Sequence, residues 1–217
     1  MQRILRLTTT ESLVGRAGRQ DILDVQRAVE HFLMGRWSDP HAQFDQSRVF
    51  CTGGSHGGFI STHLIGQFPN TYRASAVRNP VTNIASQLVT SDIPEWGCSV
   101  SGLDSVSFAA FPKYFGEPTL DSGANTAELA EIFKYVFSMS PMGNDLLQIK
   151  TPILFGLGAK DRRVPSTEGL QFQKALSALG VQTKVLWYPQ DNHPLSSVEA
   201  YGDFAVRATL WLLEHSK

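Results

Sequence analysis

The stretch Arg48-Val-Phe-Cys-Thr52 followed by Gly53-Gly54-Ser55-His56-Gly57 constrains this chain more than any other part of it. A short apolar run of strand formers ends in a G-x-S-x-G motif, and Phe59, Ile60, Leu64 and Phe68 then recur at helical spacing until Pro69 stops them. A strand, a glycine-flanked serine and a helix in that order are the parts of a nucleophile elbow, in which the serine sits on a sharp, strained turn. The glycines keep side chains out of the space where strand and helix cross. Behind the serine, the helix N-terminus aims backbone N–H groups at developing negative charge. The N–H of His56, the residue after the serine, is the expected oxyanion donor. The competing account, a glycine-rich turn with an incidental serine, explains neither the strand before the motif nor the helix after it.

The rest of the chain supplies the sheet this elbow needs. Ile22, Val25, Val29, Phe32 and Leu33 mark a helix, with Asp21 and Asp24 at its start, where acids suit the helix dipole. Further strands are expected over 72–81, 151–157 and 181–188, and helices over 168–179 and around Phe204, Ala208, Trp211 and Leu212. The span from Thr82 to about Asp145 reads as short helical pieces and turns. Strands alternating with helices predict one α/β domain, a mostly parallel sheet covered on both faces. With 217 residues and 42% hydrophobic content, the chain can bury one substantial core.

Composition narrows the partners. Lys plus Arg number 19 against 20 for Asp plus Glu, which gives no electrostatic reason for a nucleic-acid or anionic-membrane partner. No run approaches the roughly 18 apolar residues of a membrane span. Cys51 and Cys98 form no CxxC or disulfide framework, which favours reduced thiols and a cytoplasmic protein, although a disulfide between them stays open. Arg3 and Arg6, with no acid before Glu11, faintly suggest a transit peptide, but so short and unpatterned a stretch reads better as a loop or strand remnant.

A serine hydroxyl needs an imidazole to take its proton, and six histidines compete. His31 and His63 fall within helices, His41 in a polar loop and His215 at the C-terminus, and the side chain of His56 is expected to leave the turn in another direction. His193 follows the last strand through Tyr188-Pro-Gln-Asp-Asn-His193, at the C-terminal edge where open α/β sheets place their active sites. It is the expected base. Asp161, just past the strand that ends near Gly158, is the expected acid. Asp191 lies too close in sequence to His193 and reads as a turn residue, while the order Ser…Asp…His favours Asp161. Ser55, Asp161 and His193 thus form the expected triad. No HExxH, Cys-His cluster or acidic calcium loop is present, so neither a metal nor another cofactor is expected.

Several segments resemble the prolyl oligopeptidase family, and within it the acylaminoacyl-peptidase branch: Gly53-Gly-Ser-His-Gly-Gly-Phe59, Arg78-Asn-Pro-Val-Thr-Asn-Ile84, Ser91-Asp-Ile-Pro-Glu-Trp96, Asp161-Arg-Arg-Val-Pro165 and Tyr188-Pro…His193. The likeness runs from about Gly18 to the C-terminus. It implies an α/β-hydrolase fold and a serine peptidase that removes an N-acylated amino acid from the front of short peptides through an acyl-enzyme. It implies that Arg163 anchors a substrate carbonyl or carboxylate, as an uncompensated guanidinium could through paired hydrogen bonds. It also allows a homo-oligomer. Nothing before Ser55 resembles the family's β-propeller or its His-Gly-Gly-Pro-type loop, so residues 1–217 are expected to be a partial hydrolase domain lacking its first strands. The strand over 48–52 should then lie at an open edge, and activity should suffer, since one lost oxyanion donor costs about 100- to 1,000-fold. Two alternatives stay open: a carboxylesterase or dipeptidyl-peptidase-like hydrolase, and an inactive fragment acting as an interaction module.

Overall fold

Four strands, β1 (Phe50–Gly54), β2 (Ala74–Arg78), β3 (Ile153–Gly158) and β4 (Thr183–Tyr188), lie side by side in chain order, every neighbouring pair parallel. They belong to a computed structural model that describes residues 12–35, 44–103 and 126–216. The helices are α1 (Gln20–Leu33), α2 (His56–Gln67), α3 (Ile84–Thr90), α4 (Pro94–Val100), α5 (Thr126–Ser138), α6 (Pro141–Asn144), α7 (Ser166–Ala178) and α8 (Val198–Glu214). The N-terminal stretch read as a loop or strand remnant, and the loop carrying His41, lie outside the described residues.

Alternation along the strands distributes side chains to two cores. Cys51, Val77, Ile153, Phe155 and Leu157 face one way and pack with Ile22 of α1, Leu64 and Ile65 of α2, and Phe172 and Leu176 of α7. Ala74, Ala76, Leu154 and Leu186 face the other way, against Ala208 and Trp211 of α8. The sheet therefore carries helices on both faces, as expected. β3 is buried at every position, which suits its place inside the sheet, whereas β1 is buried only at Cys51. Among the described residues β1 pairs on one side only, with β2. Beside that edge, Val25, Val29, Phe32, Phe44, Val49 and Phe50 line an apolar groove of about 920 Å³.

Element boundaries move from the expected ones for local reasons. β2 stops at Arg78 because Asn79 takes a positive φ of 40° and Pro80 has no N–H to give a ladder. α8 starts at Val198, before its apolar stripe, because the Ser197 side chain accepts the Ala200 N–H and caps it. The span from Thr82 onward resolves into α3 to α6, with residues 104–125 outside the description. Cys51 and Cys98 are separate buried thiols in different core clusters, and burial pushes the Cys51 thiol up to about 12.

Candidate active site

The elbow forms where β1 runs into α2. Ser55 holds φ 59° and ψ −123°, a combination costing about 1–3 kcal/mol that persists only where neighbours enforce it. Here the neighbour is the segment after β2: the Ser55 N–H donates to the Arg78 carbonyl at 3.1 Å, and the Val81 N–H donates to the Ser55 carbonyl at 3.3 Å. Strand and helix cross so closely that a Cβ on Gly53 would lie 2.1 Å from the Gly57 carbonyl oxygen. Only glycine fits there, which is the physical content of the motif.

The acid and base come from the next loops along the same sheet edge. Asp161 follows β3, and its side chain is fully buried. Its Oδ1 accepts the N–H groups of Arg163 and Val164, each at 2.9 Å, while Oδ2 faces His193 Nδ1 at 2.7 Å. His193 follows β4 and keeps 23% of its side chain exposed. An imidazole whose Nδ1–H is bound by a carboxylate has its Nε2 free to take a proton, the requirement for general-base work on a hydroxyl. The structure thus joins base to acid directly, and brings Ser55 to the same edge through the 78–81 segment. Among the described residues no hydrogen bond links the Ser55 hydroxyl to His193.

The competing groups have other work. Asp191 accepts the N–H and the hydroxyl of Ser197 at 3.0 and 2.8 Å, bracing the start of α8 as a turn residue would. His63 is packed inside, its Nδ1 on Asp145 and its Nε2 on the Met139 carbonyl. His215 bonds the Trp211 carbonyl and Gln182, and His31 lies exposed in the last turn of α1. His56 turns its ring away from the elbow, stacks on Phe59, meets the edge of Trp96, and brings Nε2 to 3.2 Å from Asp21 Oδ2. Its backbone N–H stands at the first position of α2, beside the nucleophile.

Arg163 differs from expectation. Its guanidinium is not uncompensated: Nε donates to Asp92 Oδ1 at 2.7 Å, and the Ser91 hydroxyl donates to the Arg163 carbonyl. The pairing holds the Asp92 carboxyl below the usual carboxylate range. The Ser91–Asp92 segment therefore fixes the arginine beside the acid loop. Two further buried residues brace the segments around the site, a role that no local pattern in the sequence signals. Asn79, buried after β2, bonds both Gly158 and the histidine loop. Glu168, buried at the start of α7, accepts from the Thr82 and Asn83 N–H groups and the Gln87 amide, and burial pushes its carboxyl up to about 7. Among the described residues no cluster of three or more His, Cys, Asp or Glu could hold a metal ion, and no helix is long and apolar enough to cross a membrane.

Comparison with known proteins follows the same lines. The model of the prolyl oligopeptidase family matches residues 10–217. The human acylamino-acid-releasing enzyme is 44% identical over 204 residues, covering 94% of this chain and 25% of that protein. The Arabidopsis thaliana acylamino-acid-releasing enzyme is 38% identical over 207 residues, covering 95% of this chain and 24% of that protein. The chain spans about a quarter of the length of the curated relatives it matches. Among solved structures, the acylaminoacyl peptidase of Pyrococcus horikoshii superposes with a TM-score of 0.68 at 20% identity, over 93% of this chain and 28% of that one. A puromycin hydrolase superposes at 0.72 and 18% identity, over 95% and 26%. These structural likenesses speak for the fold, the α/β-hydrolase fold.

Proposed function

The chain belongs to the prolyl oligopeptidase family, and from that premise we propose that it carries the serine machinery of an acylaminoacyl-peptidase, acting on short N-acylated peptides. Ser55 is the nucleophile, His193 the base and Asp161 the acid. The observation that carries the reading is the His193 Nδ1 to Asp161 Oδ2 contact of 2.7 Å, at the sheet edge where Ser55 is held in its strained turn.

In this reading Ser55 Oγ attacks the carbonyl carbon of the acylated residue while His193 Nε2 takes the hydroxyl proton. Asp161 holds the imidazole tautomer and stabilises the imidazolium. The backbone N–H of His56 donates to the tetrahedral oxyanion. His193 then gives its proton to the leaving amine, and water, activated by the same histidine, hydrolyses the acyl-enzyme. Arg163, oriented by Asp92, anchors a carbonyl or carboxylate of the peptide. The relatives named as acylamino-acid-releasing enzymes support the substrate class. Residues 1–217 act as part of the catalytic α/β-hydrolase domain in the cytoplasm, with no cofactor.

Labelling of the purified chain with a fluorophosphonate probe tests this, with Ser55→Ala as control and an acetyl-alanine chromogenic amide as substrate. Ser55-dependent labelling with amide turnover is expected. Folded protein that does not label would overturn it.

A further inference from the structure

The 78–81 segment stands between nucleophile and base and touches both. Its backbone holds Ser55 from each side, as described above. Its side chains hold the base loop: Arg78 Nη1 donates to the Pro194 carbonyl at 2.8 Å, and Asn79 Nδ2 donates to the His193 carbonyl at 2.7 Å and to the Asn192 carbonyl at 3.3 Å. Asn79 Oδ1 accepts the Gly158 N–H at 2.9 Å, and the Gly158 carbonyl in turn accepts the Asp161 N–H at 3.2 Å. One amide therefore registers the end of β3, from which the acid springs, against the main chain of the histidine.

We infer that Asn79 is a positioning residue for His193, fixing the backbone that carries the imidazole so that Nε2 can meet the Ser55 hydroxyl. The inference rests on the triad reading given above. Asp161 holds the ring at one atom only, and a ring held at one atom can still swing with its main chain. Asn79 supplies the second anchor. Its orientation is not interchangeable: reversed, Oδ1 would face two carbonyl oxygens and Nδ2 would face an N–H. Only 1% of the residue is exposed, so water offers no ready replacement for these bonds. Its φ of 40° lies in the left-handed region, where asparagine, aspartate and glycine are the residues that sit most easily. Aspartate keeps that backbone and the side-chain shape but sets a carboxylate oxygen against the His193 carbonyl. Glycine keeps the backbone and removes the amide.

These two variants make the test. The rate of fluorophosphonate labelling per titratable site is measured for the wild-type chain, Asn79→Asp and Asn79→Gly. In parallel, the His193 Nδ1–H signal is followed by NMR in histidine-labelled protein. Both variants are expected to label about 100-fold more slowly per site, the cost of roughly 1 Å misplacement, with the Nδ1–H signal lost or exchanging faster. A normal rate per site, with only fewer sites reactive, would mean that Asn79 serves packing alone and would overturn the inference. If the wild-type chain does not label at all, the triad reading fails, and the NMR signal decides separately: a His193 Nδ1–H unchanged in Asn79→Asp sinks the positioning role.

Discussion

His56 Nε2 lies 3.2 Å from Asp21 Oδ2, which ties the residue next to the nucleophile to α1, an element 35 positions earlier in the chain. The Asp21 side chain is 8% exposed, and its Oδ1 also accepts the Ile22 N–H. Helix α1 is thus latched to the elbow helix by one carboxylate as well as by the apolar contact of Ile22. The two groups stand close without a hydrogen bond between them, and a charge contact of this kind contributes at most about 1 kcal/mol. Asp21→Ala is expected to lower stability by no more than about 1 kcal/mol in urea unfolding. A double-mutant cycle with His56→Ala should return a coupling of at least about 0.5 kcal/mol, and strict additivity would mean the latch is cosmetic.

Arg163 and Asp92 form a half-exposed pair, with 45% and 34% of their side chains open to water. Such a pair contributes at most about 1 kcal/mol to stability, so its value lies in aiming the guanidinium. Asp92→Ala is expected to leave Tm nearly unchanged while raising KM for the acetyl-alanine amide several-fold, with kcat altered little, because under the proposed anchoring role the arginine would then meet substrate from many orientations. Equal KM values in the two proteins would mean that Asp92 does not aim Arg163 at the substrate.

The parts of the site legible in the sequence are those that follow a strand directly. Ser55 stands in a glycine pattern that only a strand–turn–helix crossing explains, and Asp161 and His193 lie in the loops that follow two recognisable apolar runs. Asn79 and Glu168 could not be found that way. The partners of Asn79 lie 79 to 114 residues away, and those of Glu168 lie 81 to 86 residues away, so their roles exist only once the sheet is assembled. The pairing of Arg163 was hidden for the same reason: its partner Asp92 arrives from 71 positions upstream, out of a region with no clear period. The strand boundaries drifted where a local event, such as the positive φ at Asn79, outweighed apolar content.

Glu168 makes stability depend on pH in an unusual direction. Its carboxyl keeps its proton up to about pH 7 in the fold, whereas an unfolded glutamate gives it up near 4.5. Between those values the folded state binds more protons than the unfolded one, so this contribution is full below about pH 4.5 and is lost as pH rises through about 7. Glu168→Gln removes the titration while keeping an oxygen for the Thr82 and Asn83 N–H groups, and the Gln87 amide can turn to meet the new one. Relative to Glu168→Gln, the wild-type chain is expected to lose about 3 kcal/mol across the window, near 1.4 kcal/mol per pH unit at most. Urea unfolding of both proteins from roughly pH 5 to 8 reads this, and parallel curves would show that the Glu168 proton does not govern stability.

Asp161 allows a sharper test, because its two oxygens are not equivalent. Oδ1 accepts two backbone N–H groups, from Arg163 and Val164, and so must remain an oxygen in any amide that replaces the acid. In Asp161→Asn the new NH₂ is therefore forced into the place of Oδ2, where it meets His193 Nδ1. An N–H cannot face an N–H, so the imidazole shifts its proton to Nε2 and presents Ser55 with a donor instead of a base. The fold has no reason to change, since the loop keeps both backbone bonds and the amide matches the acid in size. A loss in kcat of about 10,000-fold is expected, the size seen when a triad histidine is held in the wrong tautomer. The amide-turnover assay and the fluorophosphonate labelling rate should fall together while Tm stays within a few degrees. Substantial retained activity would mean that His193 takes its orientation from elsewhere and that Asp161 is a loop brace rather than the acid.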